Sequence, residues 1–202
     1  MKLAKNLTMA LSVLTAAYGA NALANVQVSP SVGMNWATAE NNETSTAVVG
    51  KVEALQPLGE SKFSVGVGLA AASHLTGDDL NKVHSSQTDA KGYDLNTTAK
   101  VQYNLGSVGT VSANLGAERT LWGQRNMEFK DAKMEGSLDS TLVSLGARVD
   151  LASNIAMTAS YAVGNTDVIA TTTPNDTAQA ASPKTSQKES NKMLSVGINV
   201  TI

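Results

Sequence analysis

The final nine residues, Leu194-Ser195-Val196-Gly197-Ile198-Asn199-Val200-Thr201-Ile202, alternate a large aliphatic residue with a small or polar one. Successive side chains of a β-strand point to opposite faces, so a period of two predicts a strand with one apolar face and one small, hydrophilic face. The same alternation recurs along most of the chain upstream. The pattern therefore indicates an all-β protein.

Seven further segments carry this period, and most of the predicted strands are ten to twelve residues long. They lie at 26–36, 48–55, 63–74, 93–105, 110–120, 142–151 and 155–164. Short turns are predicted at 57–60, 106–109 and 152–154, and long polar loops at 38–45, 75–92, 123–137 and 165–190, the last of them mobile. All four long loops then fall at one end, as in an antiparallel up-and-down barrel of eight strands.

The composition of the two strand faces predicts which one is inside. The hydrophilic face is mostly Gly, Ala, Ser, Thr and Asn, which suit the narrow lumen of an eight-stranded barrel better than a solvent surface. Apart from Arg119 near a strand end, the apolar face lacks Asp, Glu, Lys and Arg, and a Lys or Arg at mid-bilayer costs about 2 to 4 kcal/mol. We therefore predict a transmembrane barrel with lipid outside.

The N-terminal segment has the three parts of an export signal. Lys2 and Lys5 precede an apolar run from Leu7 to Tyr18 and a small-residue exit at 22–24. We predict a cleaved signal peptide at 1–24 and one barrel domain at 25–202. Without the signal, 13 basic residues face 17 acidic ones, a net charge of −4, which argues against nucleic acid as a partner. The chain has no cysteine, hence no disulfide and no thiolate metal site.

The aromatic residues are few and sit at the ends of the predicted strands. Interfacial positions suit their amphipathic rings: Trp36, Tyr93 and Trp122 toward the long loops, and Phe63 and Tyr103 toward the short turns. Pro30 cannot donate to a strand ladder, so it predicts a bulge or a local break in the first strand. Arg119 has two interpretations: it extends outward to lipid headgroups, or a bulge turns it inward.

Six charged residues follow the parity of the inward face, three of each sign. They are Lys51, Glu53, Asp94, Lys100, Glu118 and Arg148. Counting residues from the short turns places Glu53, Lys100 and Arg148 in the lower half of the lumen and Lys51 and Glu118 near the middle, which allows a paired network across the lumen. The network is either a structural plug or a gated ion path.

A signal peptide, eight alternating strands, long loops at one end and a final strand together resemble the small bacterial outer-membrane barrels of the OmpA, OmpX and opacity-protein type. The resemblance covers residues 25–202 in architecture, without a shared loop motif. It implies a monomer in a Gram-negative outer membrane, with lipid and lipopolysaccharide as partners. In that family the last strand, usually ending in an aromatic residue, is a recognition signal for the barrel-insertion machinery; here it ends in Ile202.

A hydrolase or acyl-transfer site is the enzymatic alternative. His74 and His84, with nearby Ser73, Asp78, Asp79, Ser85 and Ser86, contain residue types that such a site uses, and some outer-membrane barrels act on lipid A. No strained nucleophile motif accompanies them, however, and two histidines with aspartates make an even weaker metal site. We expect no catalytic residue, metal or cofactor.

The loops are the remaining place for function. Polar loops on a rigid scaffold suit contact with a host or phage surface ligand. We interpret the mixed charges of the third loop (Arg125, Glu128, Lys130, Asp131, Lys133 and Glu135) as a solvated surface. The expected function is a structural and adhesin-like role, with a narrow channel as the main alternative and a lipid A-modifying enzyme as the third.

Overall fold

A computed structural model describes residues 26–40, 44–75, 91–128, 132–174 and 184–201. These residues form eight strands: β1 (Gln27–Ala39), β2 (Thr44–Pro57), β3 (Phe63–His74), β4 (Lys91–Val108), β5 (Val111–Glu128), β6 (Ala132–Ala152), β7 (Ile155–Pro174) and β8 (Thr185–Thr201). Each strand pairs antiparallel with its neighbours in sequence, and β8 pairs with β1 to close the barrel. The predicted eight-stranded up-and-down barrel is confirmed. Within the described ranges, no helix is long and apolar enough to cross a bilayer.

The exposed face of the barrel wall is the aliphatic one. The large side chains of β6, β7 and β8 stand outward, and Val143, Leu145, Met157 and Val196 are each more than half exposed. Inward positions hold small or polar residues, and among the described residues no large side chain is fully buried. The predicted orientation of the two faces is therefore confirmed.

The apolar outer belt is about as tall as a bilayer core. On β6 the outward apolar residues run over nine positions, from Val143 to Leu151. At a rise of about 3.3 Å per residue and a strand tilt of about 40°, this stretch spans about 23 Å, close to the apolar band of about 25 Å on outer-membrane barrels. On β7 the stretch from Ile155 to Val163 has the same length.

Above this belt, toward the loop end, the two faces exchange their character. The outward positions become polar, as at Asp139 on β6 and Asp167 on β7. The inward positions become apolar instead, and Leu138, Val168 and Ala170 form a buried cluster there. Since water replaces lipid around this part of the wall, the switch marks where the strands leave the apolar belt.

The strands are longer than predicted, and three of the predicted long loops are wrong. β1 and β2 approach to within 40–43, β5 and β6 to within 129–131, and β7 and β8 to within 175–184. The predicted loop at 165–190 is mostly the paired upper half of β7 and β8, with Thr166 opposite Glu189. Only the second loop keeps its predicted length, and residues 76–90 lie outside the described part of the chain.

A bulge in β5 reverses the orientation of its upper half. Opposite β4, the register passes from Thr120 to Trp122, so Leu121 is an extra residue. Even-numbered residues such as Glu118 point inward before the bulge, whereas Arg125 points inward after it. An extra residue in one strand shifts its two-residue alternation by one, which explains the change.

The short turns and Pro30 behave as predicted. Gly59 and Gly109 have φ angles of 59° and 60°, in the left-handed region that favours glycine, and close the first two turns. Pro30 is paired with Val52 on β2, but the β1–β8 ladder passes from Val28 directly to Ser31. Because proline has no N–H to donate, the ladder breaks on that side.

Candidate functional site in the barrel lumen

Four of the six predicted lumen charges form one cluster at mid-height. Lys51 on β2 lies 3.0 Å from Glu53 on the same strand and also pairs with Glu118 on β5, across the lumen. Lys100 on β4 donates to both carboxylate oxygens of Glu53, at 2.8 and 3.0 Å. All four side chains are at least 88% buried, and their charges cancel, which compensates the cost of removing them from water.

Two glycines make room for the lysine side chains of this cluster. A Cβ atom built on Gly68 would lie 3.2 Å from Cε of Lys51, and one built on Gly116 would lie 3.2 Å from Cε of Lys100. Each would also come within 2.7 Å of a neighbouring hydroxyl oxygen, closer than real Cβ atoms approach. The glycines on the inward face therefore let long cationic side chains cross a narrow lumen.

A second cluster closes the lumen near its loop end, and sequence reasoning missed its centre. Arg125 on β5, 6% exposed, donates from Nε and one terminal nitrogen to Asp94 on β4, at 3.0 and 2.9 Å. Its terminal nitrogens also reach Glu189 on β8, at 2.5 and 3.1 Å. This guanidinium thus joins opposite walls of the barrel with four charge-assisted hydrogen bonds.

The interpretation of Arg125 as a solvated loop charge is wrong. The bulge at Leu121 sets its direction, and no local sequence signal announces that bulge. Glu189 was likewise placed in a loop but is 6% exposed on the inner wall. Beside this cluster, His74 Nε2 lies 3.1 Å from Asp94 Oδ2 without hydrogen-bond geometry, and the imidazole is buried.

Arg148, the sixth predicted lumen charge, lies apart from both clusters near the short turns. Its guanidinium donates to Asp150 at 2.7 Å and to Asn199 at 2.9 Å, and Asn199 in turn donates to Ser29 at 2.6 Å. These contacts tie β6 to β8 and β1 at the turn end. The structure therefore divides the six predicted residues among three groups at different heights.

Arg119 faces outward, and the bulge does not turn it inward. It donates to Asp139 on β6 at 3.0 Å, and both side chains are more than half exposed. The other charges of the predicted third loop that the structure describes are also on the surface: Lys133 lies 3.6 Å from Glu128. Lys130 and Asp131 lie outside the described residues.

Small cavities, and no wide pore, occupy the described lumen. Two cavities of about 70 Å³ each lie in it, and both are lined by Lys51 and Glu118. A cavity of this size has room for a few water molecules only. The Lys51–Glu118 pair therefore separates a lower from an upper water-sized space.

The aromatic residues lie at the strand ends named above. Phe63 and Tyr103 are paired across β3 and β4 at the turn end, with ring centroids 4.8 Å apart. Tyr93, half exposed, and the two tryptophans, Trp36 and Trp122, lie toward the loop end. The outward face thus carries an aromatic group at both edges of its apolar belt.

The residues considered for an enzyme do not assemble a site in the described structure. Ser73 pairs with Tyr93 on the outward face, whereas His74 is buried inward. Asp78, Asp79, His84, Ser85 and Ser86 lie outside the described residues. Among the residues described, no three His, Cys, Asp or Glu side chains are grouped to hold a metal ion.

Comparison with known proteins supports the fold. No protein-family model and no curated protein matches this sequence. Among solved structures, the chain is similar to Neisserial surface protein A (15% identity, TM-score 0.62), with 88% of this chain and 97% of that one covered. It is also similar to outer membrane protein OprG from Pseudomonas aeruginosa (11% identity, TM-score 0.53), with 89% and 96% covered. The chain therefore has the fold of the small eight-stranded outer-membrane β-barrel proteins.

Proposed function

We propose that this protein is an integral outer-membrane barrel with a structural role, which presents the loop end of its wall to ligands outside the cell. Export through the predicted signal peptide and insertion through the last strand belong to this proposal. The observation that carries it is the exchange of the two faces above the apolar belt. A wall that is apolar outside over one bilayer thickness and polar outside above it fits a protein anchored in lipid and exposed beyond it.

The shape of the loop end supports a surface-interaction role. On β6 the part above the belt is eleven residues long, from Ala132 to Leu142, or about 28 Å in height at the same rise and tilt. β3, in contrast, ends at His74, just above its own apolar stretch. One side of the barrel therefore extends well beyond the other as a polar, paired sheet, which is a rigid support for contact with a ligand.

A narrow channel is the second candidate, and the polar lumen is what favours it. Against it, the Lys51–Glu118 pair and the Arg125 cluster cross the lumen at two heights, and the cavities hold only a few waters. Both clusters would have to open for an ion to pass. We therefore rank the structural and surface role first and assign no catalytic role.

Planar-bilayer recordings of the purified protein test the choice between the two. A structural barrel gives no stable, reproducible openings. Stable and charge-selective openings that the Glu118→Ala variant abolishes would instead establish the channel.

Shortening the upper β7–β8 hairpin tests the surface role. The variant lacks residues 169–186, which lie above the belt, and keeps the barrel below intact. Cells carrying it should lose adherence to immobilised laminin, fibronectin or heparin wherever wild-type cells adhere. Equal adherence of cells with and without the protein to all three surfaces would contradict the role.

A further inference from the structure

The outer face of β8 carries a row of lysines above the apolar belt. Lys192 and Lys188 occupy outward positions of β8, and Lys184 precedes the strand in the same parity. All three are exposed. We call these three residues the lysine row. No ion pair within 4.0 Å joins any of them to a carboxylate of the described residues.

The lowest member of the lysine row lies at the upper edge of the apolar belt. Lys192 follows Leu194, which is half exposed, on the outward face, and its cross-strand neighbours are Trp36 on β1 and Val163 on β7. A lysine between a tryptophan and aliphatic side chains can lay its methylene stem on apolar surface while its ammonium group reaches the headgroup layer. This position ties the row to the lipid surface rather than to bulk water.

The height of the lysine row exceeds that of a phospholipid headgroup. Successive members are four residues apart, or about 13 Å along the strand and about 10 Å along the membrane normal. The row therefore rises about 20 Å above the belt edge, whereas the headgroup layer of a bilayer is only about 5 to 8 Å deep on each side. A phospholipid can contact Lys192 but not the two lysines above it.

The surroundings of the lysine row leave it positive. Asp167 on β7 stands directly opposite Lys188, and it is the one acidic residue facing the row from β7 in the described part of that strand. Farther round the barrel, the other outward cation of the belt edge, Arg119, is paired with Asp139. A ligand with negative charges at several heights complements such a surface.

We infer that the lysine row binds the headgroup of a tall anionic glycolipid, one with phosphate or carboxylate groups spaced along a saccharide, as in the lipopolysaccharide of an outer leaflet. This inference rests on the proposed outer-membrane location. The acyl chains of the glycolipid pack beside Trp36 and Leu194, and its successive anionic groups contact Lys192, Lys188 and Lys184. Binding of this kind fixes an annular lipid against β8.

Titration of the folded protein in neutral detergent with four probes tests this inference. The probes are lipopolysaccharide with a phosphorylated core, the same lipopolysaccharide after dephosphorylation, phosphatidylglycerol micelles and soluble heparin. The variant K184Q/K188Q/K192Q removes the charges, and K184R/K188R/K192R keeps them. The double variant K62Q/K133Q removes exposed lysines elsewhere on the surface.

The affinity of the glutamine variant for phosphorylated lipopolysaccharide should fall about tenfold to a hundredfold at low salt, since each lysine near an anionic surface contributes about 1 kcal/mol. Dephosphorylation should weaken wild-type binding in the same way, and the arginine and K62Q/K133Q variants should bind like wild type. For phosphatidylglycerol the loss should stay within about threefold, because one lysine reaches it. Circular dichroism verifies the strand content of each variant.

Unchanged lipopolysaccharide affinity in the glutamine variant, or an equal loss toward phosphatidylglycerol, would overturn the inference. Heparin binding as tight as lipopolysaccharide binding would also overturn it, because the ligand would then be a soluble polyanion. In either case a protein that inserts into bilayers keeps its proposed function. A protein that fails to insert at all removes both proposals.

Discussion

The Arg125 cluster allows a sharp prediction about stability. Replacing Arg125 with alanine leaves Asp94 and Glu189 buried without their shared cation, and it removes four hydrogen bonds of 2.5 to 3.1 Å. Breaking a buried ion pair by removing one partner costs about 3 to 5 kcal/mol. Arg125→Ala should therefore lower the free energy of unfolding by an amount in this range.

Arg119 provides the matched control, because it is the same residue type on the same strand but faces outward. Its side chain is 68% exposed and makes one ion pair, with Asp139. Exposed pairs contribute about 0 to 1 kcal/mol, so Arg119→Ala should have little effect on stability. The comparison separates the burial of the arginine from the loss of an arginine as such.

Equilibrium urea unfolding in lipid vesicles, followed by tryptophan fluorescence, measures both variants. A third variant, D94N/R125A/E189Q, should recover much of the lost stability, since no charge is then left uncompensated. Equal destabilisation by Arg125→Ala and Arg119→Ala would refute the account of the cluster. So would a triple variant as unstable as Arg125→Ala.

Two further predictions concern the barrel wall and use the same unfolding measurement. Gly66→Ala should destabilise the barrel by more than about 1 kcal/mol, because its Cβ would lie 1.9 Å from the carbonyl oxygen of Ala54. Gly50→Ala, with nothing within 4 Å of the added atom, should be nearly neutral, and equal effects would contradict the wall geometry. Ala147→Arg, in the middle of the belt on β6, should cost about 2 to 4 kcal/mol, whereas Thr141→Arg above the belt should cost about 0 to 1 kcal/mol. A reversed order would place the bilayer elsewhere.

The strand count, the closure and the direction of the faces were predictable from sequence because lipid imposes one rule on every strand. Each strand in the belt must be apolar on alternate residues, and segments such as 142–151 and 155–164 show this plainly. Turn glycines such as Gly59 and Gly109 added the boundaries at one end. The pairing rule of an up-and-down meander then supplied the topology.

The upper strands escaped prediction because the alternation there has the opposite sense. Above the belt, Leu138 and Val168 are inward and Asp139 and Asp167 are outward, so a search for a continued apolar outer face ends at the belt edge. Testing for alternation with exchanged faces would have detected these extensions. The bulge at Leu121 carried no such signal, and the inward direction of Arg125 depends on it.

Two expectations remain predictions. The signal peptide at 1–24 lies outside the described residues, as does most of the second loop. The roles of the lumen charges as a plug, and of Trp36, Phe63, Tyr93, Tyr103 and Trp122 as interfacial anchors, are likewise proposals. The structure gives their positions and contacts, and function requires the experiments above.

A spin-label scan of β6 in lipid vesicles tests the orientation of the wall most directly. The chain has no native cysteine, so single cysteines at each position from 133 to 150 can carry the label. Odd positions from 143 to 149 should collide with dissolved oxygen and even positions should not, while odd positions from 133 to 141 should collide with an aqueous nickel chelate. Oxygen collision at the even positions, or the absence of any alternation between 142 and 150, would contradict an aliphatic exterior in contact with lipid.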